Sequence, residues 1–321
     1  MLINILFIII GFLILIKSAD WLVDSSANLA NKLGISALVI GLTIVAFGTS
    51  APELVVNLIS SLKGNNALVF GNIVGSNIAN ILLVVGLGAL IMPLTIKSQT
   101  LFKEIPLMVL GGLGLIILAF DKFFTNSPNI IDRSDGAILL LIFAIFVYYI
   151  IQSALSERGK VEKKFAKSIK EQNTLLSIVL IIVSAIGLFI GGKLVVDNAI
   201  SLATILGVGE KLIGLTIVAI GTSLPELTTV IICTLKKNTD MAIGGIIGSN
   251  IFNTLFIFGL SSFITPVELN MPVRFDLSVM MIAFLLIFLF SLTKRRIEKW
   301  EGFVLFVIYL VYILMLILGV N

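Results

Sequence analysis

The chain of 321 residues has no histidine and a single cysteine, Cys233. One thiol cannot close an internal disulfide, and without imidazoles or paired thiolates a zinc site lacks its usual ligands. Charge is scarce too: Asp, Glu, Lys and Arg supply 12% of the residues, where soluble globular domains carry about 25%. With 58% of its residues hydrophobic and a mean hydropathy of +1.16, the chain holds more apolar surface than a water-soluble fold of this size can bury. The short polar and apolar alternation of a membrane β-barrel is missing. So is a stripe of basic residues with interleaved aromatics, and the net charge of +4 therefore does not point to nucleic acid.

What the sequence does have is a series of apolar runs of roughly 17 to 25 residues, the length of helix that crosses about 30 Å of hydrocarbon. Ten spans are predicted, at 2–22, 36–60, 67–93, 103–120, 134–154, 174–194, 208–234, 241–265, 274–293 and 302–319. The expected fold class is an all-α membrane protein of about ten transmembrane helices. The first run has neither a basic leader nor a small-residue cleavage site after it, and reads as a retained span. With ten spans, 16 of the 22 Lys and Arg residues fall on one side of the membrane, most of them in Arg158, Lys160, Lys163, Lys164, Lys167 and Lys170 or in Lys294, Arg295, Arg296 and Lys299. The positive-inside rule makes that side cytoplasmic and places both termini of this integral cell-membrane protein outside the cell.

Residues 41–90 align without gaps on residues 214–263, with 26 of 50 positions identical. The shift of 173 extends outward, pairing Asp24 with Asp197, Gly34 with Gly207 and Pro93 with Pro266. Each half, 1–154 and 174–321, holds five predicted spans. Five is odd, so the second half enters the membrane from the opposite side and the halves are inverted-topology repeats. Residues 155–173 read as a cytoplasmic linker, too short for a regulatory domain. Inverted repeats are typical of secondary transporters, whose sites lie near the midplane where the repeats meet, although gene duplication alone occurs in membrane proteins of other kinds.

Two segments nearly repeat letter for letter inside apolar spans: Gly48-Thr49-Ser50-Ala51-Pro52-Glu53 and Gly221-Thr222-Ser223-Leu224-Pro225-Glu226. Proline removes a backbone donor and clashes with the preceding turn, so the helix is expected to break near Pro52 and Pro225 and leave carbonyl oxygens unpaired. The hydroxyl of Ser50 or Ser223 is placed to cap the half-helix that follows. Ser50 and Glu53, like Ser223 and Glu226, are three apart and can face one cavity. An ionisable side chain at that depth costs at least a few kcal/mol, which marks Glu53 and Glu226 as functional.

The second repeated element opens the next span: Gly71-Asn72-Ile73-Val74-Gly75-Ser76-Asn77-Ile78-Ala79-Asn80, matched by residues 244–253. Ser76 with Asn80 and Ser249 with Asn253 share a helix face, while Gly71 with Gly75 and Gly244 with Gly248 permit close helix approach. Interhelical hydrogen bonding is the competing use of the asparagines. Carboxylates, hydroxyls, amides and carbonyls together form an all-oxygen ligand set suited to hard cations such as calcium, sodium or magnesium. Two facing glutamates repel unless one is protonated or a cation bridges them, and a divalent ion neutralises the pair. Asp20, Asp24, Asp197, Lys17 and Lys193 stand near span ends, where interfacial pairing accounts for them, with gating by the repeated Asp24 and Asp197 as the alternative.

These segments resemble the two alpha repeats of the sodium/calcium exchanger branch of the calcium/cation antiporter superfamily, in its prokaryotic form without a regulatory domain. The likeness covers essentially the whole transmembrane chain, and the pairing of G-T-S-x-P-E with G-S-N-x-x-N in both halves is specific. It implies exchange of about three sodium ions for one calcium by alternating access, with spans 1 and 6 moving against the rest. By matching position, Glu53 and Glu226 are then shared calcium and sodium ligands, and Thr49 and Thr222 offer backbone carbonyls to calcium. Ser50, Ser76, Ser223 and Ser249 bind sodium with the carbonyls of Ala46 and Ala219, while Asn80 and Asn253 line the middle of the site. Relatives that require potassium carry aspartate where this chain has Asn253, which implies potassium independence.

No cofactor is expected, and the partners are the two transported ions and the lipid bilayer. Proton-coupled relatives present G-N-A-x-E in place of G-T-S-x-P-E, so a calcium/proton antiporter is the second reading. A cation channel is the alternative from another class. An enzyme is disfavoured: there is no histidine for a metalloprotease, no mid-span aspartate pair, and no His or Lys beside Ser50 or Ser223 in their motifs.

Overall fold

The computed structural model describes residues 1–120, 129–157, 173–207, 219–269 and 273–319. The helices of the first half are α1 (Leu2–Leu33), α2 (Ala37–Thr49), α3 (Ala51–Leu62), α4 (Asn66–Ile91), α5 (Thr100–Ala119) and α6 (Arg133–Glu157). Those of the second half are α7 (Thr174–Ile205), α8 (Ala219–Thr222), α9 (Leu224–Leu235), α10 (Thr239–Ile264), α11 (Val273–Lys294) and α12 (Lys299–Leu318). Eight of them are long and apolar enough to cross a membrane, and α2 with α3, bent by 49° at their junction, makes a ninth among the described residues. Of the expected span 208–234 only α8 and α9 are described; residues 208–218, and 158–172 of the expected linker, lie outside the described residues.

The outer helices run further than hydropathy predicts. α1 and α7 have 32 residues each, about 48 Å at 1.5 Å per residue, and continue well past the expected ends at 22 and 194. Ser25, Ser26 and Asn28 read as a polar break in sequence, yet they are buried because α7 lies against them. Asn28 Nδ2 donates to Ser177 Oγ at 2.8 Å, and Asn4 Nδ2 donates to Ser201 Oγ at 2.9 Å. The repeat shift carries Asn4 onto Ser177 and Asn28 onto Ser201, so one clasp is made twice with its roles exchanged. An early residue of one helix meets a late residue of the other at both ends, so α1 and α7 are antiparallel. This is the inversion expected of the repeats. Gly34 ends α1 in the left-handed region, φ 66°, where glycine is unstrained.

At the centre stand α4 and α10, whose most apolar stretches are 83% and 94% buried. The two halves also exchange edges. Leu94 and Thr95 pair antiparallel with Ile297 and Arg296, while Ile130 and Ile131 pair with Glu268 and Val267. Each two-residue ribbon takes one strand from each half. Helix packing repeats the exchange: Gly86 of α4 lies against the Gly302 carbonyl of α12, and Gly136 of α6 against the Gly259 carbonyl of α10.

Candidate cation site

The helix breaks come two residues before the prolines, at Ser50 (φ −89°, ψ 6°) and Ser223 (φ −91°, ψ 7°), near-identical backbones in the two halves. Pro52 and Pro225 then occupy the first turn of α3 and α9, where a missing N–H costs nothing. The expected capping by the serine hydroxyls is not made. Ser50 Oγ instead donates across the repeat interface to Glu226 Oε1 at 3.2 Å. Among the described residues Ser223 Oγ has no hydrogen-bond partner.

Both glutamates are buried, Glu53 at 1% and Glu226 at 2% exposure. Glu53 Oε1 accepts from Ser76 Oγ at 3.5 Å, and the second oxygen of each carboxylate has no partner. Thr49 Oγ1 and Ser249 Oγ stand 3.3 Å apart, at 3.3 and 3.4 Å from the Ala46 carbonyl oxygen. That carbonyl also accepts the Ser50 N–H at 3.0 Å, so three donors converge on it. Ala219 and Thr222 open and close the short α8.

Asn80 and Asn253 are fully buried, and neither amide oxygen nor amide nitrogen of either makes a hydrogen bond among the described residues. Asn80 starts a π-helical turn, Asn80–Val85, and Asn253 lies in the matching turn Phe252–Ile257, a local widening that recurs at functional sites. The structure thus gathers Ser50, Glu226, Thr49, Ser249 and the Ala46 carbonyl into one hydrogen-bonded group that joins both halves, with Glu53 and Ser76 as a second bonded pair.

Four further buried polar residues were not anticipated. Asn57 Nδ2 donates to the Glu53 carbonyl at 2.8 Å, Asn77 Nδ2 to Thr254 Oγ1 at 2.8 Å, and Asn250 Nδ2 to the Ile246 carbonyl at 2.8 Å. Each keeps its amide oxygen unpartnered, as Thr229 keeps its hydroxyl. The repetition of Asn77 as Asn250 was the signal for two of them; Asn57 and Thr229 stand four and three residues after the glutamates on the same helix face. Of the predicted close glycines, Gly244 and Gly248 meet the Leu38 and Leu42 carbonyls of α2, each with an ideal Cβ position 2.7 Å away. Gly71 and Gly75 meet no described residue, and the segment that the repeat places against them, 211–215, lies outside the described residues.

Buried oxygens without partners are costly, and here they are acceptors in the main, gathered around two carboxylates. No group of three or more His, Cys, Asp or Glu that could hold a metal ion occurs among the described residues, so the two glutamates are the carboxyl groups described at this site. The set fits a hard cation held by oxygen and offers a soft metal neither sulfur nor imidazole.

The sodium/calcium exchanger protein family matches residues 3–152 and 176–318. The sodium/calcium exchanger MaX1 of Methanosarcina acetivorans is 31% identical over 342 residues, covering 94% of this chain and 95% of that one. The inner membrane protein YrbG of Escherichia coli is 37% identical over 282 residues, 86% of this chain and 84% of its own. A solved structure of the sodium-calcium exchanger NCX_Mj superposes with a TM-score of 0.82 at 29% identity, covering 98% of this chain and 99% of that one. The chain belongs to the sodium/calcium exchanger protein family, and is an integral membrane antiporter of that family.

Proposed function

We propose that the protein exchanges sodium for calcium by alternating access, independently of potassium, with Glu53 and Glu226 as the ligands shared by both ions. The observation that carries this reading is the pair of buried glutamates from opposite halves, each with one oxygen lacking a protein partner. Calcium between them cancels two charges in a medium where an isolated carboxylate is penalised by several kcal/mol. Sodium ions reach the same result in larger number, which is what makes the two cargoes mutually exclusive. Ser50, Ser76, Ser223 and Ser249 supply sodium ligands, Thr49 and Thr222 carbonyls to calcium, and Ala46 and Ala219 carbonyls to sodium. At Asn253 a neutral amide stands where a third carboxylate would favour potassium.

The test is uptake of radioactive calcium into proteoliposomes loaded with sodium and diluted into sodium-free buffer. Uptake that requires the sodium gradient, persists with a protonophore, ignores potassium and vanishes in Glu53→Gln supports the proposal. Uptake driven by a pH gradient makes the protein a calcium/proton antiporter, and flux without any counter-ion gradient makes it a channel.

A further inference from the structure

Lys236, which caps the C-terminus of α9, reaches across to α1. Its Nζ stands 2.6 Å from Asp20 Oδ1 and 2.5 Å from Asp24 Oδ1, and 3.4 Å from the Asp20 carbonyl oxygen. Burial by itself would lower the pKa of this lysine, but its hydrogen bonds to Asp20 and Asp24 hold it above the ordinary range, so it stays charged. Alongside this bridge α9 packs closely on α1, and Cys233, one turn before Lys236, is fully buried.

The repeat shift carries Lys236 onto Lys63 and Asp24 onto Asp197. Lys63 caps α3 as Lys236 caps α9, yet there the bridge is not made. Asp197 is held instead by Lys193 of its own helix at 2.8 Å, both side chains more than half exposed. Lys63 forms no ion pair among the described residues, and α3 only brushes α7. Since α1 and α7 are antiparallel, the made bridge and the unmade one lie at opposite ends of the bundle. The position equivalent to Asp20 is Lys193, a competing amine in place of a second carboxylate.

We propose that Lys236 and Lys63 are alternating latches: Lys236 closes one end of the carrier on Asp20 and Asp24 in the conformation described, and Lys63 closes the other by taking Asp197 from Lys193. The proposal rests on the alternating-access reading. The two Asn–Ser clasps make α1 and α7 one body, so the motion that pulls Asp20 and Asp24 from Lys236 brings Asp197 toward Lys63. Asp20 is shared with Lys17 of its own helix at 3.6 Å, but no ion pair among the described residues competes for Asp24, and two carboxylates at this end against one held by Lys193 at the other favour the Lys236-closed state at rest.

Cys233 is a native reporter of that closure. In proteoliposomes free of sodium and calcium, Lys236→Gln and the double variant Asp20→Asn/Asp24→Asn should each speed labelling of Cys233 by a small maleimide roughly twofold to fivefold, the range of a partly exposed ion pair. Lys236→Arg should restore the wild-type rate and Lys63→Gln should slow it. In Lys236→Gln the Michaelis constant for calcium should also move in opposite directions on the two faces, which a merely destabilised fold does not produce. In a Cys233→Ala background, Lys63→Cys with Asp197→Cys should cross-link under exchange conditions. Unchanged labelling in Lys236→Gln, or no cross-link in a double-cysteine carrier that still exchanges calcium, overturns the latches and leaves the exchange reading intact. A wild-type protein that exchanges nothing removes the exchange reading itself.

Discussion

If Glu53 and Glu226 hold the cargo as proposed, the ion-free protein pays for its own binding site, since among the described residues each keeps an unpartnered carboxyl oxygen in the interior. Stability should therefore depend on cargo. Calcium at a hundredfold excess over its dissociation constant should add about 2.7 kcal/mol, seen as a rise in melting temperature in detergent. Glu53→Gln replaces a buried ionisable group by a neutral amide of the same shape; it should melt no lower than wild type without ions, lose the calcium-dependent rise, and cut exchange by at least about a hundredfold, the scale of a loss near 3 kcal/mol. The two motif serines should separate in the ion-free state. Ser50→Ala deletes the bond to Glu226 and should cost about 1 to 2 kcal/mol, whereas Ser223→Ala removes a hydroxyl with no partner and should cost little. Asn253→Asp should make calcium uptake respond to potassium, and an unaltered response would remove the proposed basis of potassium independence.

The helix contacts around α2 give sharper consequences than its hydropathy does. A methyl at Gly248 lands 2.7 Å from the Leu42 carbonyl and 2.8 Å from Ala46 Cβ, so Gly248→Ala must push away the helix that carries the Ala46 carbonyl. Overpacking of that kind costs about 1 to 3 kcal/mol, and exchange should fall with the melting temperature. Gly114→Ala on α5 meets nothing within 4 Å and should stabilise by about 0.5 to 1 kcal/mol through helix propensity. Melting curves of the two variants test the contrast. The membrane class, the repeat and the breaks at Ser50 and Ser223 were legible because hydropathy, identity at a fixed shift and proline chemistry are local properties of sequence. The true ends of α1 and α7 were not, since Asn28 is tolerated only because Ser177 arrives from the other half. Nor was the bond from Ser50 to Glu226 instead of a helix cap, or the hold of Lys236 on Asp20 and Asp24: each is a choice between partners that only the packed structure brings into reach. One loop group off the spans, Asp132, adds a pH signature. Asp132 accepts from Ser134 Oγ at 2.6 Å and the Asp135 N–H at 3.0 Å, and these bonds hold its pKa below the usual 3.8. A depressed carboxylate stabilises fully above its unfolded pKa and loses that contribution as pH falls through the folded value, so Asp132→Asn should flatten the acid limb of stability below about pH 4.

The stoichiometry that the family resemblance implies, about three sodium ions for one calcium, would move one net charge per cycle, and each charge crossing 100 mV is worth about 2.3 kcal/mol. An inside-positive or inside-negative potential imposed on proteoliposomes should therefore speed or slow calcium uptake according to its sign; indifference to potential would show a neutral stoichiometry. The distribution of Lys and Arg predicts both termini outside the cell, and reporter fusions at Met1 and Asn321 that behave as cytoplasmic would reverse that orientation. The ribbons that join Leu94 to Ile297 and Ile131 to Val267 bear on how the protein is made. Each half leaves the ribosome with an unpaired edge whose only described complement lies in the other half, so the first five spans must wait in the bilayer, incompletely assembled, until the last helix is inserted. A gene cut between the halves should accordingly yield two fragments that are degraded when expressed singly and recovered as a working carrier when expressed together.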